Sequence, residues 1–127
     1  MIIQRWSAGA YDAIYFGAES TSYDPADNLD FWLSSGSFHI WNAEQETPST
    51  EWEARIDELM HRQAAADSTE RERLFAEAQR ILAEHQPVIC FAAPRMVVAL
   101  SPRVLNATPA PLKPLVLWNA ETLAVSR

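Results

Sequence analysis

The sequence predicts an α/β fold in which short β-strands pack with two or three helices. This prediction rests on three observations. The sequence has two amphipathic helical patterns, apolar runs that follow the second of them, and an earlier run of β-branched and aromatic residues. The 127 residues are 48% hydrophobic and 21% charged, values that are ordinary for a globular protein. We therefore interpret residues 1–127 as one folded piece.

The first element is a predicted buried strand at residues 11–18, YDAIYFGA, which is short and rich in β-branched and aromatic residues. A short helix should begin at Asp24-Pro25, because aspartate is a good N-cap and proline suits the first helical position. Its apolar face is Leu29, Trp32 and Leu33. Residues 38–47 show no clean period and indicate a loop.

The next helix begins with a predicted capping box, in which Thr50 and Glu53 satisfy backbone N–H groups at the helix start. Glu51 and Arg55 are spaced for an ion pair on its exposed side. One stripe carries the residues expected to face the core, namely Trp52, Ile56, Leu59, Met60 and Gln63.

A second long helix should begin at Asp67, with Glu70 three residues further on, and should end before Pro87. His85 lies at its negative end. The apolar face consists of Leu74, Phe75, Ala78, Ile81 and Leu82.

Two apolar runs follow, at residues 88–93 and 96–100, and a turn at Pro94-Arg95 separates them. They do not alternate with polar residues, so the sequence predicts strands that are covered on both faces. Cys90 is then a small apolar thiol inside a strand. As the one cysteine of the chain, it excludes an internal disulfide.

The remaining residues, 101–127, begin with a proline-rich stretch of turn or extended character. Residues 115–118 and 122–125 are short apolar segments that could form strands. They could equally belong to a tail, spanning 101–127, that docks on a part of the protein missing from this chain.

The net charge of −7 weighs against binding to nucleic acid, because a phosphate backbone would repel such a surface. No apolar stretch approaches the ~20 residues that cross a bilayer. The start, MIIQRW, lacks the features of a signal peptide, so we expect a fragment or a truncated reading frame.

Catalytic and metal-binding patterns are weak. Nucleophilic catalysis needs a base beside a serine or cysteine, and no G-x-S-x-G elbow accompanies the histidines. His39 has Glu44 and Glu46 nearby in a loop, but scattered acidic residues are background in so acidic a chain. His61 and His85 are expected to be solvated. The sequence predicts no enzyme, no metal and no cofactor.

Two patches are candidates for ligand binding. The first is a polar cluster between the predicted strand and the helix start, a usual place for ligand groups in α/β proteins, although a solvated turn explains it equally well. Its members are Glu19, Ser20, Thr21, Ser22 and Tyr23.

The second patch is aromatic and surrounds the loop. Flat rings beside amide and hydroxyl groups suit a peptide-like or sugar-like ligand. Trp32 and Trp52 are explained more simply as core residues of helix faces, so Trp41 and Asn42 are the better candidates in the loop. The full patch is Trp32, Phe38, Trp41 and Trp52, with Asn42, Gln45 and Thr47.

Several of these segments together resemble one protein family. Residues 67–89, DSTERERLFAEAQRILAEHQPVI, are the most specific part, and residues 11–36, YDAIYFGAESTSYDPADNLDFWLSSG, and 52–60, WEARIDELM, match more loosely. The hairpin after the second helix leads into SPRV at 101–104. In this pattern the chain resembles the C-terminal part of one lobe in bacterial extracellular solute-binding proteins of family 5, the dipeptide/oligopeptide-binding components of ABC importers.

The resemblance implies a type II-like periplasmic-binding-protein fold, in which two lobes close over a peptide or another small polar solute and deliver it to a membrane permease. It implies a periplasmic or extracellular location for the full-length protein. The chain would supply part of one lobe. We therefore expect it to bind ligand weakly or not at all alone, and to oligomerise through surface meant for the missing part.

Two departures from the family weaken the case for a free oligopeptide. Thr21 stands where peptide-binding members place an aspartate, and Glu19 is the nearest carboxylate. Ala92 and Ala93 stand where tyrosines are frequent. Two other hypotheses remain: a helical-hairpin interaction module that uses the Trp52 and Phe75 faces, and a small hydrolase that uses His39.

Overall fold

The computed structural model describes residues 2–15, 17, 22–43, 45–93 and 95–126. The chain divides into two compact units, Met1–Ile89 and Cys90–Arg127. The first is helical and the second holds a small antiparallel sheet. Helices and strands therefore both occur, as the α/β prediction requires at its coarsest level. No helix among the described residues is long and apolar enough to span a bilayer.

The centre of the first unit is an antiparallel helical hairpin, α3 (Glu51–Ala65) and α4 (Ser68–His85). The Thr50 side chain accepts from the Glu53 N–H, and the Asp67 side chain accepts from the Glu70 N–H, so both predicted N-caps are confirmed. α4 ends at His85, before Pro87. Its C-cap, Gln86, has the left-handed conformation that often terminates helices.

The hydrophobic core lies between these two helices. Its buried members come from the two predicted stripes and are Ile56, Leu59, Met60, Leu74, Ala78 and Ile81. Gln63 is buried on the same stripe, as predicted. Partly buried side chains, among them Phe75 and Leu82, extend the core at its edges.

The chain enters this hairpin through a 3-10 helix, Pro25–Asn28, and a single helical turn, α2 (Leu29–Trp32). Asp24 caps the 3-10 helix through the Ala26 N–H, 2.9 Å away, as predicted. The same carboxylate pairs with Arg71 of α4. The predicted apolar face of Leu29, Trp32 and Leu33 packs against the core.

The prediction of a buried strand at residues 11–18 is wrong for the residues that the structure describes. The described positions, 11–15 and 17, form neither strand nor helix, and Tyr15 is 76% exposed. A strand is stable only when its N–H and C=O groups pair with a neighbour. The N-terminal helix α1, Ile2–Ser7, was not predicted.

The two predicted strands at 88–93 and 96–100 are also absent from the described positions of this stretch. Most of its side chains are exposed, with Ile89 at 77% and Val97 at 85%. Cys90 is exposed as well, which corrects the prediction of a buried thiol. Apolar composition alone does not supply the covering layers that such strands need. We call residues 88–100 the apolar segment.

The second unit contains two short strands, β1 (Val104–Leu105) and β2 (Ala124–Val125). They pair antiparallel, with Val104 opposite Val125. Between them a 3-10 helix, Leu117–Thr122, replaces the strand considered for residues 115–118. Asn119 is buried and donates from Nδ2 to the Asn106 carbonyl, 2.9 Å away, which fixes the connection to the sheet.

The predicted ion pair between Glu51 and Arg55 does not form. Arg55 instead donates to Glu77 of α4 at 2.7 Å and to Glu58 at 2.6 Å. A guanidinium offers a planar fork of donors and can serve two carboxylates at once. Arg55 therefore pairs with Glu58 one turn ahead and with Glu77 on α4, and not with Glu51.

Candidate functional site

The most concentrated group of polar contacts in the first unit surrounds the carboxylate of Glu53, a residue of α3 that is only 3% exposed. Its Oε1 atom accepts from the Trp41 indole N–H at 3.2 Å and from the Gln45 amide at 3.4 Å. The Nε2 atom of His39 lies 3.4 Å from the same oxygen. Three side chains of the loop before α3 therefore meet one oxygen.

The second oxygen completes the start of α3. Oε2 accepts from the Thr50 hydroxyl at 2.9 Å and from the Ser49 backbone N–H at 3.1 Å. The predicted capping box is confirmed, although the carboxylate reaches the N–H before the N-cap rather than that of the N-cap itself. The glutamate is both a helix cap and an anchor for the loop.

A second layer of hydrogen bonds joins the loop to itself. The Ser49 hydroxyl donates to Gln45 Oε1 at 2.6 Å, and the Asn42 amide donates to Ser49 Oγ at 3.0 Å. The Asn42 amide also contacts Gln45 Oε1. These bonds hold Gln45 so that its own amide points at Glu53. We call residues 39–50, of which Glu44 lies outside the described residues, the latch loop.

The hydrogen bonds decide the charge state of Glu53. Burial acts to raise the pKa of this carboxyl, but hydrogen bonds from Thr50, His39, Trp41 and Gln45 outweigh burial and leave the pKa below its ordinary value. Glu53 is therefore ionised at neutral pH, and each of its donors faces a negative oxygen.

Six aromatic rings form a continuous row beside this polar cluster. Neighbouring ring centroids lie 4.8–6.3 Å apart, and most neighbouring rings meet edge to face. The ring of His39 also lies 4.0 Å from that of Trp41. We call the set the aromatic row, and its members in order are Phe75, Trp32, Phe31, Trp41, Trp52 and His85.

The aromatic row contains three members of the predicted aromatic patch, and the structure shows what each of them contacts. Trp32 and Trp52 pack against the hydrophobic core, as the simpler explanation of them held. Trp41 is half-buried in the middle of the row and donates its N–H to Glu53, and the Asn42 amide bonds within the loop. The structure therefore brings Trp41 and Asn42 together in one network, and their role in ligand binding stays a prediction.

The first predicted patch has a separate setting. Ser22 accepts from the Asp24 N–H at 3.0 Å and donates to Asp27 Oδ2 at 2.6 Å, so it organises the turn into the 3-10 helix. Tyr23 is exposed. The other three members, Glu19, Ser20 and Thr21, lie outside the described residues.

His39, the residue of the hydrolase hypothesis, is only 1% exposed. Its Nε2 atom contacts Glu53 and, at 3.3 Å, the Gln45 amide, and Nδ1 has no hydrogen-bond partner in the described part of the chain. A substrate could reach this ring only if the loop moved. His61 and His85 are exposed, as expected. Across the described ranges no three His, Cys, Asp or Glu side chains are grouped so that they could hold a metal ion.

The sequence carries one signal for the anchoring role of Glu53. Glu53 precedes Ile56, Met60 and Gln63 at intervals of three, seven and ten residues, which places it on the buried stripe of α3. A glutamate on a buried stripe needs several donors. The preceding loop supplies His39, Trp41 and Gln45.

Comparison of the chain with protein-family models, curated protein sequences and solved structures finds no match.

Proposed function

We propose that this chain forms part of one lobe of an extracytoplasmic solute receptor that serves an ABC importer. In this proposal the α3–α4 hairpin belongs to the body of the lobe, and the apolar segment pairs with receptor strands that the chain itself does not supply. The ligand is a peptide or another small polar solute, and the receptor hands it to a membrane permease.

The observation that carries the proposal is the exposure of the apolar segment. Large apolar side chains follow one another there, and Ile89, Phe91 and Val97 are each more than two-thirds exposed. Exposed large apolar side chains are unfavourable in water, and a group of them usually marks a surface that another part of an assembly covers. The β-branched and aromatic composition of the segment suits β-strands.

The latch loop supports the ligand-binding part of the proposal. It carries an aromatic ring, Trp41, and an amide, Asn42, at consecutive positions, and apolar faces combined with hydrogen-bonding groups are what small-molecule sites use. Both polar groups bond within the protein in this conformation. Ligand binding at this loop would therefore exchange internal hydrogen bonds for contacts with the solute.

The interaction-module hypothesis gains less from the structure. Its two proposed contact residues are engaged internally, since the Phe75 ring meets Trp32 at 5.2 Å and the Trp52 ring stacks on His85 at 4.8 Å. A partner that needed either ring would have to displace these contacts.

Transport in the source organism tests the proposal. We expect deletion of the coding sequence to reduce uptake of at least one class in a panel of labelled dipeptides, oligopeptides and small polar solutes, and wild-type sequence to restore it. Val97→Asp should fail to restore uptake, because a charge cannot enter the proposed strand pairing without cost. Unchanged uptake of every solute after deletion would contradict the proposal.

The matched control is Ala76→Asp, the same charge placed on the exposed side of α4 between Arg73 and Arg80. It should restore uptake fully. If Ala76→Asp fails as Val97→Asp does, the defect reflects added charge and not the apolar segment.

A further inference from the structure

We propose that Glu53 is the latch of a movable loop: its carboxylate holds the latch loop closed against α3, and loss of its charge opens the loop while the helical hairpin stays folded. This inference concerns the chain itself, and none of its tests needs a ligand or a receptor.

The first support is the convergence of the contacts. Five residues spread along the latch loop, from its first position to its last, meet the two oxygens of one side chain at 2.9–3.4 Å. They are His39, Trp41, Gln45, Ser49 and Thr50.

The second support is how little else fixes the middle of the loop. Among the described residues, no backbone-to-backbone hydrogen bond involves positions 45–49. The Ile40 carbonyl accepts from the Trp6 indole at 3.2 Å and from the Tyr11 hydroxyl at 3.4 Å, and these bonds hold only the start of the loop. The remainder depends on Glu53, on the ring contacts of Trp41 and on the hydrogen bonds that the loop makes within itself.

The third support is the independence of the helical hairpin. All six members of the buried apolar cluster of the hairpin come from α3 and α4, and Ile40 of the latch loop, although buried, lies outside that cluster. Opening the loop therefore leaves the apolar contacts between the two helices in place. The loop can move as a local unit of low stability on a more stable support.

The chemistry of the substitution Glu53→Gln matches the proposal closely. The amide has the same shape but replaces one acceptor oxygen with an NH₂ donor, which would face either the Ser49 and Thr50 donors or the Trp41 and Gln45 donors. A buried donor that faces other donors loses hydrogen bonds it cannot replace without moving. Loop opening relieves that conflict.

Hydrogen–deuterium exchange resolved by peptide tests the latch in the full chain. We expect Glu53→Gln to speed exchange in residues 39–43 and 45–50 by about tenfold or more, and to change exchange in α3 and α4 by less than about twofold. Glu58→Gln is the matched control, because Glu58 is an exposed α3 glutamate that pairs with Arg55 and Arg62, and it should leave the loop unchanged.

A second variant tests the latch through a smaller change. Trp41→Phe keeps an aromatic ring in the row but removes one donor to Oε1, and it should speed exchange in the loop by a smaller factor, with the helices unaffected. Unchanged loop exchange in both variants would overturn the proposal. The proposal would also be overturned if hydrogen exchange sped up equally in the loop and the helices, or if the Glu53→Gln chain did not fold. In either case Glu53 would hold the whole unit together.

Discussion

The helical hairpin makes a quantitative prediction about Leu59, a residue that is 0% exposed in the middle of α3. Leu59→Ala removes three carbons from the contact between the helices and leaves a cavity. Buried leucine-to-alanine changes cost about 2–5 kcal/mol, and the cost is greatest where the surroundings cannot collapse. Because Leu59 is fully buried in the small core between α3 and α4, we expect a loss of about 3 kcal/mol.

That loss is large for a unit of this size. Folded proteins are stable by roughly 0.05–0.15 kcal/mol per residue, which for residues 1–89 amounts to roughly 4–13 kcal/mol. Each kcal/mol shifts Tm by about 4–8 °C in a domain of this length. Leu59→Ala should therefore lower Tm by roughly 12–24 °C.

Urea denaturation followed by the far-ultraviolet circular dichroism of the helices measures the effect. The midpoint should fall while the dependence on urea concentration stays constant, since the surface exposed on unfolding hardly changes. The matched control is Leu117→Ala, the same truncation at a side chain that is 66% exposed, and it should change stability by less than about 0.5 kcal/mol. A cost below about 1 kcal/mol for Leu59→Ala would refute the described hairpin core.

Three further predictions follow from features described above. The pKa of Glu53 lies below its ordinary value, so its charge stabilises the folded state at any pH above the ordinary pKa, and this stabilisation is lost as the pH falls through the lowered pKa. Between about pH 6 and about pH 3 the wild type should therefore lose more free energy of unfolding than Glu53→Gln. Equal losses in the two proteins would contradict the hydrogen-bond network around Glu53. Asp67→Ala should cost about 1 kcal/mol in thermal or urea unfolding, since it removes the cap on the Glu70 N–H, whereas Asp67→Asn should cost little. Light scattering coupled to gel filtration should show the wild-type chain associating and Val97→Asp shifted toward monomer; a monodisperse wild-type monomer would argue against an uncovered apolar segment.

The helical hairpin could be predicted because everything that determines it is local. Thr50 and Asp67 mark the starts, Pro87 marks the end, and the apolar residues repeat with the period of a helix. These signals lie within a few residues of one another. They require no knowledge of the rest of the chain.

The strands at 11–18, 88–93 and 96–100 were mispredicted because a strand depends on partners far away in sequence, whereas the segment considered at 122–125 does contain one. Residues 88–100 have the composition of buried strands, but their described positions pair with no strand in the described part of the chain. The two strands that do form, Val104–Leu105 and Ala124–Val125, are two residues long and pair across about twenty positions, too short for any periodic signal.

The loop was predicted as a place for ligand binding, and that role stays a prediction. The sequence pointed to the loop and to Trp41 and Asn42, and the structure places both in one network. The sequence could not show that the loop side chains converge on Glu53, because those contacts depend on how the loop folds back over α3. The predicted capping box accounts for the contacts of Glu53 Oε2 with Ser49 and Thr50 at the start of α3. It does not account for the contacts of Oε1 with the loop side chains.

The aromatic row gives the unlabelled chain an optical signature. Three indoles are held in fixed orientations, and the Trp41 centroid lies 5.4 Å from that of Phe31 and 6.3 Å from that of Trp52. They should produce strong near-ultraviolet dichroic bands that vanish once the packing loosens. The far-ultraviolet bands of the helices report separately on backbone order. A single spectrum, scanned over both regions, can therefore distinguish detachment of one loop from collapse of the entire unit without any added dye.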